Sequence, residues 1–248
     1  MSPEPVLPVD EIAKRDLEFF LLADCSSSMS GEKMATLNHV MREVINTDLP
    51  SALENQPNVQ LNFRVIAFGS DARFSIGPDP VPLEKVTWTD LSANGLTATA
   101  DAINLLCTQL ATERMPKRGL PPVCILISDG MCTQGAEVYE KAINNLESLP
   151  WGKKSIRLAI GLGKMGVDLD EDELKKFVMP AFRDEIGVLN AQNKSQLVKM
   201  LRWASVSASV ASSITKSKMG APGDPGAHVV MPPPPDDVVE PTDGTDIF

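Results

Sequence analysis

The sequence predicts an α/β fold: a doubly wound, mostly parallel central sheet with one antiparallel edge strand and helices on both faces. Three observations carry this. Two short runs, 17–23 (LEFFLLA) and 123–128 (VCILIS), are almost wholly apolar and each is followed by an aspartate, the pattern of strands buried on both faces. After one early hairpin, such runs alternate with stretches of helical apolar spacing, which directs the strands into parallel pairing through crossover helices. Hydrophobic residues make up 43% and charged residues 23% of the 248 positions, enough for a core that folds without disulfides or a structural metal.

The elements follow in order. After the first strand comes a loop of small residues, CSSSMSG, and then Met34, Leu37, Val40, Met41, Val44 and Ile45 recur at helical spacing, which predicts a helix over 32–46. Alternating Val59, Leu61, Phe63 and Val65 predict a strand over 59–68, and 72–76 beyond a Gly-Ser-Asp turn reads as its hairpin partner at the sheet edge. Helices are expected over 97–110, 136–149, 171–178 and 196–215, and strands over 123–128, 156–161 and 186–189. Residues 1–14 read as a Pro-rich lead-in, 15–217 as the domain, and 218–248 as an acidic, Pro-rich tail outside the core.

Charge and cysteine usage narrow the function. The net charge is −10, and such a surface repels a phosphate polyanion, which argues against nucleic acid as a partner. From Gly220 onward there are six acidic residues and no Lys or Arg. By composition this end is a solvated chain; the sharper alternative is that its carboxylates compete for a cation on the domain at high effective concentration. Cys25, Cys107, Cys124 and Cys132 form no CxxC pair, so neither a zinc site nor a disulfide framework is indicated. With no basic-then-apolar leader and no membrane-length apolar run, the expectation is a cytoplasmic protein without a membrane partner.

The two strand-end aspartates carry the chemistry. Asp24 is followed by Ser26 and Ser28 at alternate positions, and a carboxylate with two hydroxyls on a tight loop can converge on one small cation. Oxygen donors of this kind suit a hard ion, Mg²⁺ or Mn²⁺. Asp129 belongs on a nearby strand end, and the loop at Gly95, Leu96 and Thr97 offers one more hydroxyl. Two carboxylates among neutral hydroxyls leave such an ion in want of an anionic oxygen from outside. Taken singly, each piece is more simply a capped turn.

In combination, Asp24-Cys-Ser26-Ser-Ser28-Met, Thr97 and Ser128-Asp129-Gly130 resemble the metal-ion-dependent adhesion site of von Willebrand factor A (vWA) domains, over roughly 17–216. The resemblance implies Mg²⁺ held by Asp24, Ser26, Ser28 and Thr97, with Asp129 acting through water, and a partner protein that donates an Asp or Glu. One departure is Ser27, where that motif usually carries Gly. The strand end around Gly161 and Gly163 and the run from Trp203 through Ser213 are similar to bacterial TerY-type proteins, a group associated with tellurite and stress resistance beside a Ser/Thr kinase and a phosphatase. The implied function is a non-enzymatic, metal-dependent interaction module. Two alternatives remain: an accessory subunit of a AAA+ ATPase machine, and a Mg²⁺-dependent phosphoester hydrolase. For the hydrolase the sequence offers no second metal cluster, base or phosphate-cradling loop.

Competing motifs are weaker. Gly161-x-Gly163-x-x-Gly166 matches a dinucleotide pattern, but no helix opens on it and acids follow it closely. Asp168-x-Asp170-x-Asp172 lacks the glycine and closing glutamate of a calcium loop; an acidic first helical turn is the simpler reading. His39 and His228 are expected at the surface, and Cys25 and Cys132 as small-residue packing rather than a redox pair.

Overall fold

The structure, a computed structural model, describes residues 14–54, 56–163, 170–214 and 231–234. A six-stranded sheet runs β3-β2-β1-β4-β5-β6, with β1 Arg15–Asp24, β2 Val59–Phe68, β3 Ala72–Pro82, β4 Val123–Ser128, β5 Ile156–Leu162 and β6 Leu189–Ala191. Only β3 is antiparallel, paired to β2; every other pairing is parallel. The chain leaves β1 to one side for β2 and β3, then returns to its other side for β4. Strand order therefore reverses at β1, and the crevice this opens beyond the carboxyl ends is where such sheets bind ligands.

The helices are α1 Glu32–Glu43, α2 Leu49–Leu53, α3 Thr99–Gln109, α4 Ala136–Ser148, α5 Pro150–Lys154, α6 Glu171–Phe177 and α7 Lys194–Ile214. On one face α7 packs on β1, β4, β5 and β6 and carries α1 and α2 against it; on the other, α3 packs on β1, β2 and β3 with α4 beside it. The opposite senses of the crossovers before and after the reversal place them on opposite faces, because each crossover is right-handed. No helix of the described residues is long and apolar enough to cross a membrane.

Burial explains the strand sequences. From Leu17 to Asp24 every residue of β1 is buried, as is all of β4, so neither strand shows alternation. Registered pairs across β1 and β2 add specific contacts: Phe19 stacks on Phe63 with ring centroids 4.9 Å apart, and the Arg64 guanidinium lies 4.9 Å over the Phe20 ring. At the edge, β3 is largely exposed.

Four expectations change. The edge strand runs to Pro82 instead of stopping at 76; Pro78, Pro80 and Pro82 fit there because an edge strand tolerates residues that cannot donate on its outer side. The first helix does not end at 46: a π-turn at Val44–Asp48 leads into α2, with Pro50 in its first turn where a missing N–H costs nothing. The last strand is 189–191 instead of 186–189, because Ile186 and Gly187 close a turn on Phe182. Met231, which composition assigned outside the core, is buried with the core cluster. The remainder of the tail and the lead-in 1–13 lie outside the described residues.

Near the starting half of β1, away from its aspartate end, Glu18 is buried on β1. It accepts from Asn62 Nδ2 at 2.9 Å and is ion-paired with Arg64, itself buried, whose Nε donates to the Pro78 carbonyl at 2.9 Å. Removing one member of a buried pair strands the other charge, at a cost of about 3–5 kcal/mol. Arg64→Met is therefore expected to lower urea-unfolding stability by about that amount. Adding Glu18→Leu to it should recover most of the loss.

Candidate metal centre

The site begins with a buried carboxylate. Asp24, the last residue of β1, has no exposed surface. Its Oδ1 accepts from the Ser26 amide at 2.7 Å, and its Oδ2 accepts from Ser128 Oγ at 2.6 Å. The first bond makes the loop turn immediately after the strand; the second ties β1 to the end of β4. Burial outweighs these bonds and pushes the Asp24 carboxyl up to about 6, with the hydrogen bonds from Ser128 and Ser26 opposing the shift.

The loop then folds as a 3-10 turn, Ser27–Met29, with Met29 as its apolar anchor in the core. This geometry brings the Ser26 and Ser28 hydroxyls to 2.9 Å, and Ser28 Oγ donates to Asp129 Oδ1 at 2.7 Å. Gly31, at φ 81°, lets the chain leave the turn and enter α1.

Thr97 arrives on a separate loop that is clamped twice. The Thr97 amide donates to Thr133 Oγ1 at 3.3 Å, and the Thr97 carbonyl accepts from the Thr133 amide at 3.0 Å. A Cβ built on Gly130 would lie 3.5 Å from Thr97 Oγ1 and 4.0 Å from Ser28 Oγ. Both hydroxyls therefore border the backbone of Gly130, next to Asp129. The structure thus brings Asp24, Ser26, Ser28, Thr97 and Asp129 to one place, at the reversal of strand order. Asp24, Ser26, Thr97 and Asp129 are buried while Ser27 and Ser28 are exposed, so the cluster opens to solvent on the serine side.

The donor set fits a hard divalent cation. Among the described residues no group of three or more His, Cys, Asp or Glu forms a metal cluster, so a soft-ligand site is not offered. What converges is two carboxylates and three hydroxyls, all oxygen, within a compact hydrogen-bonded set.

Two contributors, Thr133 and Lys33, escaped sequence reasoning, and two residues of the quoted motif, Ser128 and Ser27, gain a specific role. Ser128 holds the Asp24 carboxylate, and Thr133 clamps Thr97. Ser27, the departure from the usual Gly, donates its amide to the Gly95 carbonyl at 3.0 Å and accepts from the Gly95 amide on its Oγ at 3.0 Å, stapling the two loops together. Lys33 donates its Nζ to Asp129 Oδ2 at 2.7 Å. Nothing in the spacing of Thr133 and Lys33 marks them, and all four residues act through a contact distant in sequence.

The other motifs resolve simply. Asp170 caps α6, accepting from the Glu173 amide at 3.1 Å, and Glu173 reaches back to the Cys132 amide at 2.8 Å. Gly163 follows β5, and residues 164–169, with Gly166 and Asp168 among them, lie outside the described residues. Cys25, Cys107 and Cys124 are buried, which pushes each thiol up to about 12 and keeps it protonated and unreactive. His39 is exposed and 3.8 Å from Glu43.

Comparison with known proteins places this architecture. No protein-family model and no curated protein matches the sequence. Solved structures do. A von Willebrand factor type A protein from Catenulispora acidiphila superposes with a TM-score of 0.60 at 19% identity, over 80% of this chain and 43% of that one. The ArnB paralog VWA2 from Sulfolobus acidocaldarius gives 0.55 at 18% identity, over 77% and 45%. Proximal thread matrix protein 1 from the mussel byssus, in a form with a zinc-occupied MIDAS motif, gives 0.54 at 20% identity, over 81% and 47%. The fold is that of vWA domains, and the chain spans less than half the length of these structures.

The raised Asp24 carboxyl has a consequence for the metal-free protein. Its ordinary value is 3.8 and its folded value about 6, so the folded state holds this proton more tightly than the unfolded chain. The stability so gained is complete below about pH 4 and is lost as pH rises through about 6. In EDTA, urea unfolding of the wild type relative to Asp24→Asn should weaken by about 2–3 kcal/mol between pH 4 and 7. A pH-independent difference would contradict the burial account.

Proposed function

We propose that the chain is a non-enzymatic protein-interaction module whose contact runs through one Mg²⁺ or Mn²⁺. Asp24, Ser26, Ser28, Thr97 and Asp129 would hold the ion, and an Asp or Glu of the partner protein would complete its coordination. The observation that carries this is the convergence of these five side chains at the strand-order reversal, on the side open to solvent. Bound there, the cation supplies a Lewis-acidic position for an outside carboxylate oxygen. The chain's own residues do the rest: Ser128 and the Ser26 amide orient Asp24, Ser28 orients Asp129, and Thr133 fixes Thr97.

The mussel protein with a zinc-occupied MIDAS motif is a fold relative in which such a motif holds a divalent ion. That likeness supports metal occupancy in this chain. The resemblance of its sequence to TerY-type proteins supports a role in a bacterial tellurite or chemical-stress resistance system in the cytoplasm, with a Ser/Thr kinase and a phosphatase as candidate partners. Hydrolysis is disfavoured by the surroundings of the two carboxylates. Among the described residues His39 is the one histidine, it lies on α1 3.8 Å from Glu43, and no group of three or more His, Cys, Asp or Glu offers a second metal cluster.

Calorimetry should show one Mn²⁺ or Mg²⁺ bound by the wild type and none by Asp24→Ala. At a hundredfold excess over Kd, binding adds about 2.7 kcal/mol to folding, which for a domain of this size raises Tm by about 5–10 °C. Thr97→Ala should weaken partner capture with an unchanged circular dichroism spectrum, and EDTA should abolish capture. Partner capture that survives chelation would overturn the proposal.

A further inference from the structure

Asp129 carries an attachment that the hydroxyl set does not explain. One of its oxygens accepts from Ser28, the other from Lys33 Nζ at 2.7 Å. Lys33 lies in the first turn of α1, where the positive end of the helix dipole opposes an ammonium. Even so, its side chain is only 18% exposed, held on a carboxylate with no exposed side-chain surface. The pair keeps a cation where the local helix disfavours one.

The charge balance gives that pair a role. Asp24 and Asp129 bring two negative charges and Lys33 cancels one, so a divalent ion among neutral hydroxyls keeps one unit of positive charge unmet. A unit charge about 6 Å from a divalent ion weakens its binding by about tenfold even at the dielectric of water. The same positive charge favours an anion arriving from outside. On a chain of net charge −10, such a local positive centre favours the approach of an acidic partner segment.

The rim adds a second feature. Among the described residues the exposed large hydrophobic side chains are Leu96 at 61%, Met131 at 54% and Val138. Leu96 directly precedes Thr97 and Met131 directly follows Gly130, on two loops stitched by the hydrogen bonds between Thr97 and Thr133. Two exposed apolar side chains therefore lie on the loops that carry Thr97 and Asp129.

We propose that Lys33 is a selectivity residue of this centre. By cancelling the charge of Asp129 it weakens cation binding and strengthens anion recognition, so that the loaded site takes an extended protein segment with a Glu or Asp flanked by apolar residues. The acid meets the cation, and its neighbours meet Leu96 and Met131. This rests on the metal-dependent reading given above.

The test uses the full chain, Lys33→Met, which keeps the stem and removes the charge, and Lys33→Arg, which restores it. Mn²⁺ affinity is measured by calorimetry. Binding of a fluorescein-labelled peptide Ala-Leu-Glu-Leu-Ala, and of its Gln counterpart, is measured by polarisation on Mn²⁺-saturated protein. Lys33→Met should bind Mn²⁺ about three- to tenfold more tightly and the Glu peptide at least about fivefold more weakly, with Lys33→Arg close to wild type in both. The double variant Leu96→Ser, Met131→Ser should lose peptide affinity with Mn²⁺ affinity unchanged. Equal or weaker Mn²⁺ binding by Lys33→Met would show that Lys33 merely positions Asp129 and would overturn the proposal. Glu and Gln peptides bound alike by the loaded wild type, or neither bound, would overturn the partner class. A wild type that takes up no Mn²⁺ would instead bring down the metal-dependent reading itself.

Discussion

A carboxylate at the end of a strand buried on both faces must be met by donors. At Asp24 they come from two places: the Ser26 amide on its own loop, and Ser128 Oγ at the end of β4. The second donor exists only because β1 and β4 are neighbours, in parallel register with Ala23 beside Ile127. That adjacency also opens the crevice into which the loops after both strands turn. The sheet order and the position of the carboxylate are thus a single constraint, and the five-residue cluster follows from it. Were β4 elsewhere in the sheet, Asp24 would be a buried charge with one hydrogen bond, and Asp129 would be out of reach of Ser28.

Around this centre the loops are held by short-range devices. Ser27 joins the serine loop to Gly95 through two hydrogen bonds, and Gly95 itself, at φ 88°, has no room for a side chain, since a Cβ there would lie 2.3 Å from Ser70 Oγ. The departure from Gly at 27 is a gain in connection between loops. The opposite end of the sheet uses ionic chemistry differently. There the Glu18–Arg64 pair sits among Asn62, Phe20 and the Pro78 carbonyl and fixes the edge hairpin to β1, at a distance from the cation chemistry.

Much of this was legible in the sequence. Fully apolar runs ending in aspartate announced β1 and β4, because a strand covered on both faces cannot alternate. The serine spacing after Asp24 announced the loop, since alternate residues on a tight turn project to one side. Where reading failed, the deciding force was tertiary. The edge strand was expected to stop at 76 and runs on through Pro78, Pro80 and Pro82, because the outer side of an edge strand asks nothing of a missing N–H. No motif includes Lys33, and only the fold brings it onto Asp129, 96 positions away. Ser128 looked like the last residue of a strand, and its hydroxyl proves to be what holds the Asp24 carboxylate from the β4 side.

The central claim is that five side chains from three loops share one cation. Anomalous scattering from a crystal grown with Mn²⁺ tests it most directly. The account predicts a single strong manganese peak at about 2.0–2.3 Å, the distance of hard-cation coordination, from the Ser26 and Ser28 hydroxyls, with Asp24, Thr97 and Asp129 around it. A peak on any other group of residues, or none at saturating Mn²⁺, would contradict it.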